Sequence, residues 1–401
     1  MSAATQGSAN TPATELLAAL VRAETVTPYA KPALDILETV FSHAGFSVDR
    51  PVFQAPGTEA VENLFAASGA GARHLTFAGH VDVVPAGPVE KWRHPPFGAT
   101  IENGILYGRG AIDMKSGIVA MTTAALRFLE RRGSGFDGRI SFLITGDEEG
   151  PSVNGTGALL AWAAERGERF SAGIVGEPSS VETLGDQIRI GRRGSYSATL
   201  IVDGVQGHAA YPHLAENPIR GLTELLQELM AAPLDAGTKN FLPSTLEVVG
   251  LEAGSTWNVI PGEARARLNS RYNDKWTQAS LHAELLRRLG KAAASPRLTD
   301  KPIRFRLEAE PSLSDVFLTT DEGLISMLSD SVELVTGQRP ARSTAGGTSD
   351  GRFIKDYCPV VEFGLVGKSL HQIDECVPLA DIETAAKVYE AFLESYFPTH
   401  G

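Results

Sequence analysis

The sequence predicts an α/β fold, a sheet sandwiched by helices, with a smaller α+β domain inserted near its middle. Three observations carry that expectation. Near-continuous apolar runs of strand length alternate with helical stretches towards both ends of the chain, as in strands covered on both faces. From about Gly191 the pattern changes to apolar–polar alternation, the mark of half-buried strands. Finally, 401 residues are too many for one packed core, and 43% hydrophobic with 21% charged residues is a globular balance. The expected boundaries are 1–190 and 312–401 for the α/β part and 191–311 for the insertion.

Each element has its own signal. Thr11 as N-cap and Pro12 at the first helical position open a helix carrying Leu16, Leu17, Leu20 and Val21. A second helix shows Leu34, Leu37, Val40 and Phe41 and stops at Gly45. Apolar runs at 74–84, 139–145, 172–178 and 359–365 predict strands, and 115–132, 155–166, 319–337 and 380–397 predict helices. In the insertion, SYSATLIVDG, TLEVVGLEAG, ARARLNSRY and IRFRLEAE predict strands, with helices near 217–231 and 277–291.

Composition narrows the function. Lys and Arg number 36 against 48 Asp and Glu, a net charge of −12 that argues against nucleic-acid and anionic-membrane partners. Cys358 and Cys376 cannot form a disulfide framework; they read as small buried hydrophobes in a reducing cytosol. The N-terminus lacks a basic segment followed by an apolar block, and no run of about 18 apolar residues occurs. The expectation is a soluble cytoplasmic protein.

The polar residues at the strand ends suggest the chemistry. His80 and Asp82 close one run and are predicted to share a strand face. Asp113 precedes a helix, Glu148 and Glu149 follow RISFLIT, Glu177 ends AGIVGEP, and His371 follows EFGLVGKSL. In open α/β sheets, ligands bind beyond the carboxyl ends of the strands. Two histidines and several carboxylates gathered there, without cysteine, favour Zn²⁺, with Co²⁺ or Mn²⁺ also suited. Of two neighbouring glutamates, one can bind metal while the other stays free as a base. A metal-ligating histidine usually has a carboxylate behind it, and Asp82 is placed for that. Taken singly, each feature has a commoner explanation as a turn, a cap or a surface pair. Only the joint arrangement points to metal.

GHVDVVP, LYGRGAIDMKSG, TGDEEG, GEPS and LHQIDE resemble the co-catalytic zinc exopeptidase and deacylase family that includes carboxypeptidase G, aminoacylase and acetylornithine deacetylase. The resemblance runs from about residue 12 to 397. It implies a mixed, mostly parallel sheet and two Zn²⁺ per subunit, with Co²⁺ or Mn²⁺ possible at one site. His80 and Glu177 would hold one ion, Glu149 and His371 the other, and Asp113 would bridge them. Glu148 would be the general base and Asp82 would orient His80. The insertion would be a dimerisation lid, making the protein a homodimer.

Within the family, GRRGS, GHAAYPHLAENPI, STWNVIPGEA and GGTSDGRF resemble the succinyl-diaminopimelate desuccinylase branch of lysine biosynthesis. His208 would then help stabilise the oxyanion in the partner subunit's site. Arg192, Ser195, Tyr211, Asn258, Arg271, Gly347 and Thr348 would line the pocket. The residues themselves lend some support: an acidic chain needs a basic island to hold a polycarboxylate, and Arg189, Arg192, Arg193 and Arg271 supply one. The opposing explanations are surface ion pairs for these arginines and a packed core position for His208. Three departures from the branch stand out: GEPS for GEPT, SGI after DMK, and Gly367 where many desuccinylases have Asn. The other readings are an acetylornithine deacetylase or related N-acyl amino-acid hydrolase, and a catalytically silent metal-binding or assembly protein.

Overall fold

The computed structural model describes residues 12–133, 136–311 and 314–398. In chain order the main strands are β1 (Ser47–Asp49), β2 (Leu64–Gly69), β3 (His74–His80), β4 (Arg139–Thr145), β5 (Ala172–Val175), β6 (Gln187–Arg189), β7 (Gly194–Asp203), β8 (Thr245–Ala253), β9 (Glu263–Tyr272), β10 (Arg304–Ala309), β11 (Ala341–Ser343) and β12 (Val360–Glu362). The main helices are α1 (Pro12–Arg22), α2 (Lys31–His43), α3 (Ser116–Arg132), α4 (Thr156–Glu165), α5 (Pro218–Met230), α6 (Gln278–Ala294), α7 (Glu322–Thr336) and α8 (Leu379–Tyr396). The chain divides into two compact units, one of residues 1–191, 319–343 and 349–401, the other of 192–318 and 344–348. No sequence period marks the short return at 344–348.

The first unit holds an eight-stranded mixed sheet in the order β1-β2-β4-β3-β5-β12-β6-β11. The neighbours β4, β3, β5 and β12 are parallel throughout, so their carboxyl ends share one edge, as the α/β expectation required. Both faces of β3 are covered, because all seven of its residues are buried. Helices α3, α8 and α7 pack side by side, while α2 and α4 lie against β1, β2 and β4. Pro12 opens α1 as expected, but the predicted Thr11 cap lies outside the described residues.

One expectation about the site fails here. The apolar run from His74 is strand only as far as His80. Beyond it, Val81 N–H still donates to Thr145 O at the end of β4, but Val83 N–H donates to Thr25 O, so the backbone leaves the sheet. Asp82 therefore sits in a loop and does not share a strand face with His80.

Buried His74 begins β3; its Nε2 lies 2.8 Å from Ser141 Oγ and its Nδ1 3.5 Å from Glu168. Burial pushes its pKa down to about 4, against the pull of Glu168 and with help from Arg139. A histidine neutral in the fold but titrating near 6.5 when unfolded favours unfolding as pH falls below about 6.5, and the loss is complete near pH 4. Between pH 7.5 and 5 the wild type should lose about 2 kcal/mol that a His74→Gln variant keeps. Urea unfolding at both pH values tests this. Equal losses in the two proteins would mean that His74 is protonated inside the fold.

The second unit is built as the alternation predicts. Its antiparallel sheet has the order β8-β9-β7-β10. Along β9, Ala264, Ala266, Leu268, Ser270 and Tyr272 turn inward, leaving Arg265, Arg267, Asn269 and Arg271 on the other face. Helices α5 and α6 pack together and complete a core that includes Leu200, Leu225, Leu268, Leu281 and Leu285. Both helices are well started. Asn217 accepts from Ile219 N–H ahead of Pro218, and Thr277 forms a capping box with Ser280.

Candidate metal centre

Four parallel strands deliver the polar residues to one edge of the first unit's sheet. His80 is the last residue of β3, Glu148 and Glu149 follow β4, Glu177 follows β5, and His371 lies in the loop after β12. Asp113 comes from the tight turn Ala111–Lys115 that leads into α3. That turn can sit close because the second residue of α3 is a glycine, Gly117. A Cβ at Gly117 would stand 2.1 Å from the carbonyl oxygen of Gly176, the residue before Glu177.

Asp113 is the centre of the arrangement. Its Oδ1 lies 3.2 Å from His80 Nε2 and its Oδ2 3.0 Å from His371 Nε2. Around that shared carboxylate, Glu177 Oε1 is 3.4 Å from His80 and Glu149 Oε1 is 2.8 Å from His371. The possible ligand atoms of His80, Asp113 and Glu177 lie within 4.8 Å of one another, as do those of Asp113, Glu149 and His371. The structure thus brings all five expected ligands together in two trios that share Asp113.

Electrostatics favours positive charge here. Burial opposes a proton on His80, yet Asp113 and Glu177 outweigh it and raise its pKa well above the ordinary value. Hydrogen bonding to Asp113 and Glu149 raises His371 to about 10. Burial also works against an ionised Asp113, but His371 and His80 hold it below the usual carboxylate range. Imidazole and carboxylate donors without thiols fit a borderline divalent ion, which would supply the positive charge while leaving the imidazoles neutral. Divalent ions at such a centre supply Lewis acidity for amide hydrolysis.

The protein's own groups supply the proton chemistry. Glu148 makes no side-chain hydrogen bond among the described residues, and an oxygen of its carboxylate lies within 4.8 Å of ligand atoms of His80 and Glu149. Burial raises its pKa, reinforced by Asp350, Glu177 and Glu149 and opposed by His80. A carboxylate so placed can take up a proton and return it. Asp82 meets His80 through a different group from the one expected. Its backbone carbonyl, 2.9 Å from His80 Nδ1, is the close partner, with the carboxylate at 3.6 Å. The carboxylate instead accepts from Glu148 N–H at 3.3 Å and Glu149 N–H at 3.0 Å. It fixes the loop that carries the base, a consequence of the chain leaving the sheet after His80. Asp350 was not singled out in the sequence, although GGTSDGRF contains it. It is buried and accepts from Thr156 Oγ1 at 2.7 Å.

The other candidates lie in the second unit and form two groups. Ser195 and Arg271 are cross-strand neighbours on β7 and β9, and Arg192 donates to Gly347 O at 3.4 Å beside Thr348. Arg271 has no ion-pair partner among the described residues. Burial lowers its pKa, and the charge of Arg193 lowers it further. In the second group, His208 pairs with Val259 next to Asn258, and its ring lies 5.7 Å from that of Tyr211. His208 is exposed, so it is not a packed core residue. Of the departures, the Ser179 hydroxyl of GEPS donates to Gln187 O and accepts from Gly364 N–H. Gly367 is crowded: a Cβ there would stand 2.6 Å from Leu370 Cδ1.

The fold is shared with solved structures of low sequence identity. A metallo-carboxypeptidase of the M20 family from Sulfolobus solfataricus superposes with a TM-score of 0.77 at 19% identity, covering 96% of this chain and 99% of that one. The aminopeptidase PepT from Bacillus cereus gives 0.77 at 18% identity, covering 96% and 98%. The YXEP protein of Bacillus subtilis, described as a dinuclear metal-binding peptidase of the M20 family, gives 0.67 at 13% identity, covering 95% and 97%. Among the described residues no helix is long and apolar enough to cross a membrane. The model of peptidase family M20/M25/M40 matches residues 76–395, a span that takes in all five clustered ligands and the free Glu148. The chain therefore belongs to that family of metal-dependent amide hydrolases.

Proposed function

We propose that the protein is a dizinc desuccinylase that converts N-succinyl-L,L-diaminopimelate and water to succinate and L,L-diaminopimelate. The observation that carries this reading is Arg271. It is a partly buried guanidinium beside like-charged Arg193, with no acidic partner among the described residues. A cation kept in that setting is suited to an anionic ligand, and an arginine fork fits a carboxylate. The substrate carries three carboxylates, and an N-acetyl group would bring none on the acyl side. In this reading Arg192, Ser195, Arg271, Gly347 and Thr348 bind carboxylates. Tyr211 and Asn258 position the substrate, and His208 serves the oxyanion in the partner subunit of a homodimer. Glu148 takes the proton of the attacking water and returns it to the leaving amine.

The second reading keeps the chemistry and changes the acyl group, as in acetylornithine deacetylase. The test is kcat/KM of the zinc-loaded protein on N-succinyl-L,L-diaminopimelate, with N-acetylornithine and a simple dipeptide beside it. The proposal expects the succinyl substrate to lead by at least about a thousandfold, because a site built for a carboxylate rejects analogues lacking one. Comparable or reversed rates would discard the desuccinylase assignment.

A further inference from the structure

Two of the clustered ligands, Asp113 and His371, come from segments far apart in sequence. One buried ion pair joins them. Arg109 is 3% exposed and Glu375 is fully buried, with Arg109 Nη1 2.6 Å from Glu375 Oε2. The other carboxylate oxygen of Glu375 accepts from the backbone N–H of Ile112 at 3.0 Å and of Asp113 itself at 3.2 Å. From the opposite side, the Arg109 guanidinium donates to the carbonyl of Gln372 at 3.3 Å and reaches that of His371 at 3.5 Å. The pair therefore grips the main chain of both ligands.

The His371 loop needs such a hold. His371 and Asp374 have φ of 58° and 61°, in the left-handed region that non-glycine residues rarely occupy. The surroundings must fix a backbone of that kind. Ser369 exchanges hydrogen bonds with the main chain of Cys376, and Arg93 N–H donates to Asp374 at 2.7 Å. Those contacts fasten the base and the rim of the loop. Among the described residues, Arg109 and Glu375 tie the main chain of the loop to that of the turn bearing Asp113.

We propose that Arg109 and Glu375 are positioning residues that set the spacing between Asp113 and His371, and with it the affinity for the ion these two ligands share with Glu149. The proposal rests on the ligand assignment above. It adds that the geometry of the centre is held by main-chain contacts to one charged pair. His80 is tied down separately, by Asp82, so the ion on the His80 and Glu177 side depends less on the clamp.

The test is titration of the metal-free full-length protein with Zn²⁺ against a competing chelator, together with the visible spectrum of the Co²⁺-loaded form. Glu375→Gln keeps an oxygen for the two N–H donors but removes the charge that orders Arg109. The ion shared by Asp113, His371 and Glu149 should then bind 10–100-fold less tightly, the loss expected when an outer-shell partner is removed. The ion on the His80 and Glu177 side should be little affected, the Co²⁺ spectrum should change, and kcat should fall with KM nearly constant. A merely structural pair would lower the melting temperature of metal-free and loaded protein alike and leave both affinities in place. That result in a folded variant overturns the proposal. If Glu375→Gln does not fold, the same titration on Arg109→Lys decides, since lysine keeps the charge without the fork. Weakened binding of one ion supports the clamp, and unchanged binding refutes it. A wild type that fails to bind two ions would overturn the ligand assignment itself, an outcome distinct from failure of the clamp.

Discussion

A Glu148→Ala protein should fold and bind metal like the wild type yet lose about three powers of ten in kcat. The magnitude is that of a positioned general base. The separation of effects follows from the geometry. Glu148 makes no side-chain hydrogen bond among the described residues, and its backbone N–H, which anchors the loop on Asp82 at 3.3 Å, survives the substitution. The cost of burying the Glu148 carboxylate beside Asp350, Glu177 and Glu149 disappears with the side chain, so the fold should lose no stability. Metal analysis, a melting curve and steady-state kinetics on one preparation check all three parts. Turnover within a few-fold of wild type would remove Glu148 from the reaction, and lost metal would make it a ligand instead.

Asp113→Ala should have the opposite signature, with loss of metal coming before loss of activity. Its two oxygens face two different histidines at 3.2 and 3.0 Å, so no other single side chain is shared by both trios. Removal should weaken both ions by more than the 10–100-fold that an outer-shell partner is worth. It should also abolish turnover at metal concentrations that saturate the wild type. Equilibrium dialysis with Zn²⁺ measures the first, and activity across a metal titration the second. Two ions bound with native affinity would show that Asp113 does not bridge.

Much of this centre was legible in the sequence because strand-end residues obey a simple rule. In a parallel sheet, an apolar run followed by His or Glu places that side chain at the ligand edge. His80, Glu149 and Glu177 are of this kind. The placement of Asp82 on the strand was misjudged because the apolar run HVDVV continues past the point where the backbone leaves the sheet, and apolarity alone cannot show a change of hydrogen-bond partner. Arg109 and Glu375 were missed for a related reason. Their contacts are with main-chain groups of residues far along the chain, and main-chain N–H and C=O leave no pattern in the side chains. In the second unit the strict alternation of ARARLNSRY is reproduced residue by residue along β9. The return of residues 344–348 to that unit had no such signal.

The position of β12 bears on how the chain is made. Val360–Glu362 does not lie at the margin of the eight-stranded sheet; it fills the gap between β5 and β6. During synthesis, β5 and β6 therefore wait for about 170 residues, including the whole second unit, with facing strand edges unpaired. His371 arrives later still. A nascent chain halted before residue 360 would carry His80, Asp113, Glu149 and Glu177 but could neither close its sheet nor complete the second trio of donors. Open edges on a late-closing sheet invite pairing with other chains. For this architecture the hazardous interval is the time on the ribosome, and it ends only when the last strand slots into the middle.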